Sequence, residues 1–203
     1  MSFTIAIDGP AAAGKGTLAR ALAAHYGYAY LDTGLLYRAV GARMLAGDEP
    51  AAAARSLDPA DLDPTILRTQ TVAEAASQVA VLPAVRVALV AFQQDFARAG
   101  QGAVLDGRDI GTVICPQAEV KLFVTASAEV RADRRMRELL DAGQPADPAV
   151  ILAEVIARDR RDADRSTAPL VTASDATLID TTDLTPAQAL SRAIAVVEAR
   201  RPA

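Results

Sequence analysis

The run Gly9-Pro10-Ala11-Ala12-Ala13-Gly14-Lys15-Gly16-Thr17 constrains this chain more than any other stretch. Before it, residues 3–8 read as a short buried strand. After it, a helix from about Gly16 to Tyr26 sets Leu18, Ala19 and Leu22 on one face. A glycine turn between a strand and a helix N-terminus lets backbone N–H groups wrap phosphate oxygens, with the helix dipole favouring their charge. Gly9 and Gly14 allow the backbone to close on the ligand without a Cβ clash. Lys15 is placed to reach the β- and γ-phosphates of a nucleoside triphosphate, and Thr17 to add a hydroxyl. The competing reading is an ordinary turn with a surface lysine, and the strand and helix on either side argue against it.

Two details narrow this loop. The residue after the lysine, which in the general motif is a Ser or Thr that ligates Mg²⁺, is Gly16. This Gly-Lys-Gly-Thr form resembles nucleoside-monophosphate kinases, which implies Mg²⁺ held by the nucleotide phosphates and water rather than by a protein metal site. The chain also contains no asparagine, so the Asn-Lys-x-Asp element by which a switch GTPase reads guanine is excluded.

Further strands are expected at 28–31, 103–106, 120–124 and 177–179, with Asp32-Thr33-Gly34 as a loop after the second. Helices are expected from there through Met44, from a Thr71–Glu74 capping box, from Pro83 through Arg98, over 127–142, from Asp147-Pro148 to about Arg161, and after Thr185. Residues 47–64 read as irregular. Strands alternating with helices predict a three-layer α/β fold: a parallel five-stranded sheet with helices on both faces. At 203 residues this is one domain; likeness to nucleoside-monophosphate kinases implies within it an acceptor-side insertion at about 41–80 and a lid at about 142–168.

The start has no basic, signal-like segment, and the most apolar stretch, 79–92, carries Pro83 and Arg86 and is too short to span a bilayer. The expectation is a soluble, cytoplasmic protein. Cys115 is the only cysteine and cannot pair within the chain, which suits a reducing compartment. A net charge of −4 argues against a nucleic-acid partner held by a bulk positive field. Only Lys15 and Lys121 are lysines among the 21 basic residues. Arginine suits forked recognition of phosphates and base edges; a GC-rich coding bias would give the same count.

Four more segments follow the loop in order: 31–38 (Leu-Asp-Thr-Gly-Leu-Leu-Tyr-Arg), 75–80 (Ala-Ala-Ser-Gln-Val-Ala), 106–113 (Asp-Gly-Arg-Asp-Ile-Gly-Thr-Val), and 158–165 (Arg-Asp-Arg-Arg-Asp-Ala-Asp-Arg) with Ala168-Pro169-Leu170 beyond it. Together with the glycine loop they resemble the bacterial cytidylate kinase family. The resemblance implies phosphoryl transfer from ATP to CMP or dCMP in pyrimidine nucleotide metabolism, with Mg²⁺, by a monomer. It implies Gly9 through Thr17 on ATP; Thr33, Arg38, Ser77, Arg108, Asp109, Arg158 and Asp162 on CMP; and Lys15, Arg131, Arg158 and Arg165 as catalytic residues. Many members carry a longer, strand-rich insertion where residues 47–64 here are short and rich in Pro and Ala.

Chemistry gives these residues plausible work. Arg38 follows a strand end, where open α/β sheets place ligands, and can fork onto an acceptor phosphate beside Thr33. Arg108 can donate to the N3 and O2 acceptors of cytosine, while Asp109 and Ser77 accept from its amino group. The stretch 131–165 holds eight arginines and eight acids, which reads either as an ion-paired surface or as a phosphate-closing lid with Asp162 on the sugar. The only histidine, His25, reads as a surface residue, so no imidazole serves as a general base. A nucleoside monophosphate attacks through an oxygen that is already anionic, so alignment and charge neutralisation suffice. The alternatives are a kinase of AMP or UMP, and an acceptor-free ATPase module.

Overall fold

The computed structural model describes residues 2–58, 61–165 and 167–201. Five parallel strands, β1 (Phe3–Asp8), β2 (Ala29–Asp32), β3 (Gly102–Gly107), β4 (Val120–Thr125) and β5 (Thr177–Asp180), lie in the order β2-β3-β1-β4-β5. Central β1 pairs with β3 from Phe3↔Gly102 to Asp8↔Gly107, and with β4 from Ile5↔Val120 to Asp8↔Phe123. This register brings the ends of β1, β2 and β3 to one edge, with Asp32 beside Asp106 and Asp8 beside Gly107.

Alternation along the strands divides the core. Ile5 and Ile7 face α1 (Lys15–Tyr26) and α9 (Pro186–Glu198), packing on Leu18, Leu22, Ala193 and Val197. Ala6 and Leu105 face α2 (Thr33–Leu45), α3 (Pro50–Arg55) and α6 (Pro83–Arg98), packing on Leu36, Ala53 and Leu89. The remaining helices are α4 (Pro64–Leu67), α5 (Gln70–Val79), α7 (Ala128–Asp141) and α8 (Pro148–Ala163). The α7–α8 pair has a small core of its own, made of Ala132, Leu139, Ile151 and Val155. The expected three layers and parallel sheet are therefore present.

Local expectations need four corrections. No loop follows β2: Asp32 ends the strand and α2 begins at Thr33. Residues 47–64 are not wholly irregular, because Glu49 accepts from the amides of Ala51 and Ala52 and starts α3, which buries Ala51, Ala53 and Ala54. The cap of α5 is Thr69, bonded to Val72 N, so Thr71 lies inside the helix. After β3, residues Ile110–Ile114 form a π-helical turn that no periodicity announced. The capping box at Thr185 and Gln188 is present as expected. Among the described residues, no single helix is long and apolar enough to cross a membrane.

Candidate active site

The glycine loop is built by close approach. Gly9 has φ 144°, and a Cβ there would lie 1.9 Å from the Val124 carbonyl oxygen, so only glycine lets the loop press against β4. Gly14 turns the chain into α1 at φ 90°. Lys15 is buried, and its Nζ donates to Pro10 O across the loop at 2.8 Å. Burial, and then Arg108, push its pKa down, while Asp106 and Asp8 oppose the shift. Burial, and then Asp32, push Asp106 up. Bringing phosphate to this edge would restore the lysine charge.

A cleft opens beside the loop towards α2, α5 and α8. The structure brings Thr33, Arg38, Ser77, Arg108, Asp109, Arg158 and Arg165 onto its wall with Lys15 and Thr17. Thr33 Oγ1 donates to Asp106 O at 2.7 Å. Arg38 donates to Leu67 O at 2.9 Å, tying α2 to the end of α4. Asp162 is fully buried behind the wall and receives Arg108 Nε at 2.7 Å and the guanidinium of Arg165. Burial would raise its pKa, but Arg108 and then Arg165 hold it below the ordinary value.

Arg158 is the residue the cleft leaves least satisfied. Burial, then Arg108, lower its pKa to about 10. Its Nε and that of Arg165 are buried with no hydrogen-bond partner among the described residues. Buried N–H groups without partners are rare and costly.

Arg131 does not join this wall. It is buried, forks onto Asp159 at 2.9 and 2.5 Å, and donates to Ala126 O and to Ala11 O of the loop. It braces α8 against the loop from behind. Arg161 is exposed and lies off the wall, and His25 is exposed as expected. Cys115 is a free, half-buried thiol whose pKa burial raises to about 11.

Sequence reasoning missed Arg86, Arg135 and Tyr37, which also line the cleft. Arg86 is buried in an ion pair with Asp109 and reaches the Tyr37 hydroxyl at 3.4 Å. Its signal was present: a lone charge in the apolar run 79–92 needs a partner when that run is buried. Arg135 follows Arg131 by one helical turn. A second cavity of about 570 Å³ lies on the other side of the loop, between Thr17, Leu18, Arg134, Thr181, Pro186 and Leu190.

The sequence profile of the cytidylate kinase family matches residues 5–66 and 53–199. The chain belongs to the cytidylate kinase family. It is 61% identical over 201 residues to a cytidylate kinase of Cereibacter sphaeroides, covering 99% of this chain and 98% of that one. A cytidylate kinase of Xanthobacter autotrophicus is 61% identical, with 98% and 99% covered. Among solved structures, shikimate kinase from Bacteroides thetaiotaomicron shares the fold at a TM-score of 0.52 and 13% identity, over 97% of this chain and 98% of that one. This cytidylate kinase family member thus presents one glycine loop between two cavities, one rich in arginine and the other mostly apolar.

Proposed function

We propose that the chain transfers the γ-phosphoryl of ATP to CMP or dCMP, giving CDP or dCDP. The observation that carries this reading is that Arg158 and Arg165 line the same cleft as Lys15 and each keeps a buried Nε–H without a partner among the described residues. Two phosphorylated ligands meeting there would satisfy both. Among the described residues no histidine lines that cleft, and a phosphate oxygen needs no base to become a nucleophile.

In this reading ATP lays its phosphates along Gly9 to Thr17, with its base in the cavity by Thr181 and Pro186. Lys15 neutralises charge on the β- and γ-phosphates. Arg38, with Thr33, holds the phosphate of CMP, and Arg158 and Arg165 act on the transferring group, where charge spreads in the transition state. Ser77, Arg108 and the Arg86–Asp109 pair face the cytosine end, and Asp162, buried behind the wall rather than open to the sugar, orients Arg108 and Arg165. Arg131 is a brace rather than a contact.

Mg²⁺ fits this site without a protein cage. Gly16 leaves no hydroxyl beside Lys15, and among the described residues no three His, Cys, Asp or Glu gather to hold a metal. Asp106 is the carboxylate closest to Gly16 and would act through water, while the phosphates supply the direct ligands. When bound, the ion offsets the phosphate charge. A single chain carries both nucleotide sites, so the enzyme is read as a cytoplasmic monomer with a core, an acceptor-side insertion at about 41–80 and a lid at about 142–168.

The test is turnover of ATP with each monophosphate in turn. CMP and dCMP should be used far faster than UMP or AMP. Rapid use of AMP with little use of CMP would refute the acceptor, and ATP hydrolysis without transfer would refute a kinase.

A further inference from the structure

Asp8 closes β1 immediately before the glycine loop, and phosphoryl transfer as read above makes no use of it. By strand alternation its side chain leaves the sheet on the face of Ala6, towards Ile110 and Ile114. One carboxylate oxygen accepts from Ile110 N and the other from Gly111 N, each at 2.7 Å. These amides begin the Ile110–Ile114 turn, whose own bonds run from Val113 N and Ile114 N to Asp109 O and from Cys115 N to Ile110 O. A Cβ at Gly111 would stand 3.1 Å from the Lys121 side chain and 3.3 Å from the Asp8 carboxylate, so glycine admits the close approach.

The residue in the capping position of that turn is Asp109, and an Asp there ordinarily accepts from the turn's own N–H groups. Asp109 makes no such bond. Its carboxylate is turned to Arg86 instead. The cap comes from another strand.

We infer that Asp8 is a positioning residue for acceptor recognition: by capping the 110–114 turn from β1, it leaves the Asp109 carboxylate free to pair with Arg86 at the base end of the cleft. This rests on the reading of that pair as facing cytosine. Burial pushes the Asp8 carboxyl up to about 6, against the pull of its two amide bonds, so the carboxylate is held by the bonds it accepts. The glycine loop takes its shape from a different contact, Gly9 against Val124, so the donor side should feel Asp8 only through its lesser effect on the Lys15 charge.

Asp8→Asn tests this in the full chain. Asn keeps the shape but turns an amide donor towards one of the two N–H groups, which then competes with Arg86 for the Asp109 carboxylate. The KM for CMP should rise about tenfold while the KM for ATP stays within about twofold, as expected for one lost charge-assisted bond acting on one ligand. In an Arg86→Lys background the same change should add much less, because its effect passes through the Asp109–Arg86 pair. Equal rises in both KM values, no rise, or full additivity with Arg86→Lys would overturn the assignment.

If Asp8→Asn does not fold, wild-type hydrogen exchange decides. CMP should slow exchange at Ile110 and Gly111, and a non-hydrolysable ATP analogue should not. No change with CMP, or equal slowing by both, overturns the assignment. Failure of wild-type protein to use CMP is a separate result that refutes the acceptor reading itself.

Discussion

In the proposed reading the donor loop, Gly9 to Thr17, offers phosphate its backbone amides and one lysine, all contributed by nine consecutive residues. Across the cleft, in the same reading, the acceptor is met by guanidinium groups from α2, α6, α8 and the ends of β3 and α8, up to 127 residues apart between Arg38 and Arg165. The loop's donors are consecutive in the chain, although Val124, Arg131 and Thr181 from distant elements lie against its backbone. The arginine wall is assembled by tertiary packing, and carboxylates hold it: Asp109 for Arg86, Asp162 for Arg108 and Arg165. Those acids keep like charges close together and aim them before substrate arrives. Among the expected contacts, Arg158 alone combines an orphaned, buried Nε with the absence of an ion pair among the described residues.

Substitutions can break this contrast. The largest loss is expected for Arg158→Ala, with kcat falling by about 10³-fold, as for arginines placed on a transferring phosphoryl group; single-turnover measurement separates this from CMP binding. Lys15→Ala should lower kcat by about 10²–10³-fold, the cost of one preorganised donor, with a lesser change in the KM for CMP. A larger loss in CMP binding than in turnover would erase the division between the two ends.

Arg108→Ala and Arg86→Ala should instead raise the KM for CMP by about 10–100-fold and narrow the preference for CMP over UMP, the scale of one good base contact. Steady-state kinetics with both acceptors check this, and unchanged discrimination in both variants would remove their base-reading role. Arg131→Lys should be milder. A lysine cannot fork onto Asp159, so melting should come about 2–4 °C earlier, while activity stays within a few-fold of wild type. A loss as deep as that of Arg158→Ala would return Arg131 to the reacting groups.

The subtlest prediction is electrostatic. In the ligand-free protein, burial and Arg108 hold the Lys15 pKa down, so part of its charge is lost as pH rises through and above neutrality. Triphosphate favours the ammonium and raises that pKa. ATP binding near pH 8 should therefore take up protons, seen by calorimetry in buffers of different ionisation heat. Proton release would contradict the sign.

What could be read from residues alone follows the same contrast. The loop was legible because its chemistry is consecutive, and the five strands because each is a short apolar run between turn signals. Arg38, Arg108, Arg158 and Arg165 were legible through family resemblance, and the structure brings them together. Arg86 announced only its need for a partner, since which partner it meets depends on α6 crossing over β3 to Asp109. Arg131, catalytic by resemblance, sits on the expected helix but off the cleft wall, its direction set by Asp159 on α8 and a loop carbonyl. The Ile110–Ile114 turn was invisible because its cap, Asp8, lies 102 residues away from Ile110. Local pattern carries no trace of a bond that long.

The most direct measurement is a crystal structure with CMP and a non-hydrolysable ATP analogue bound together. Nε of Arg158 and Nε of Arg165 should each donate to a phosphate oxygen, with Lys15 drawn from Pro10 O onto the donor phosphates. Both guanidiniums turned to solvent while the two nucleotides occupy the cleft would contradict the account.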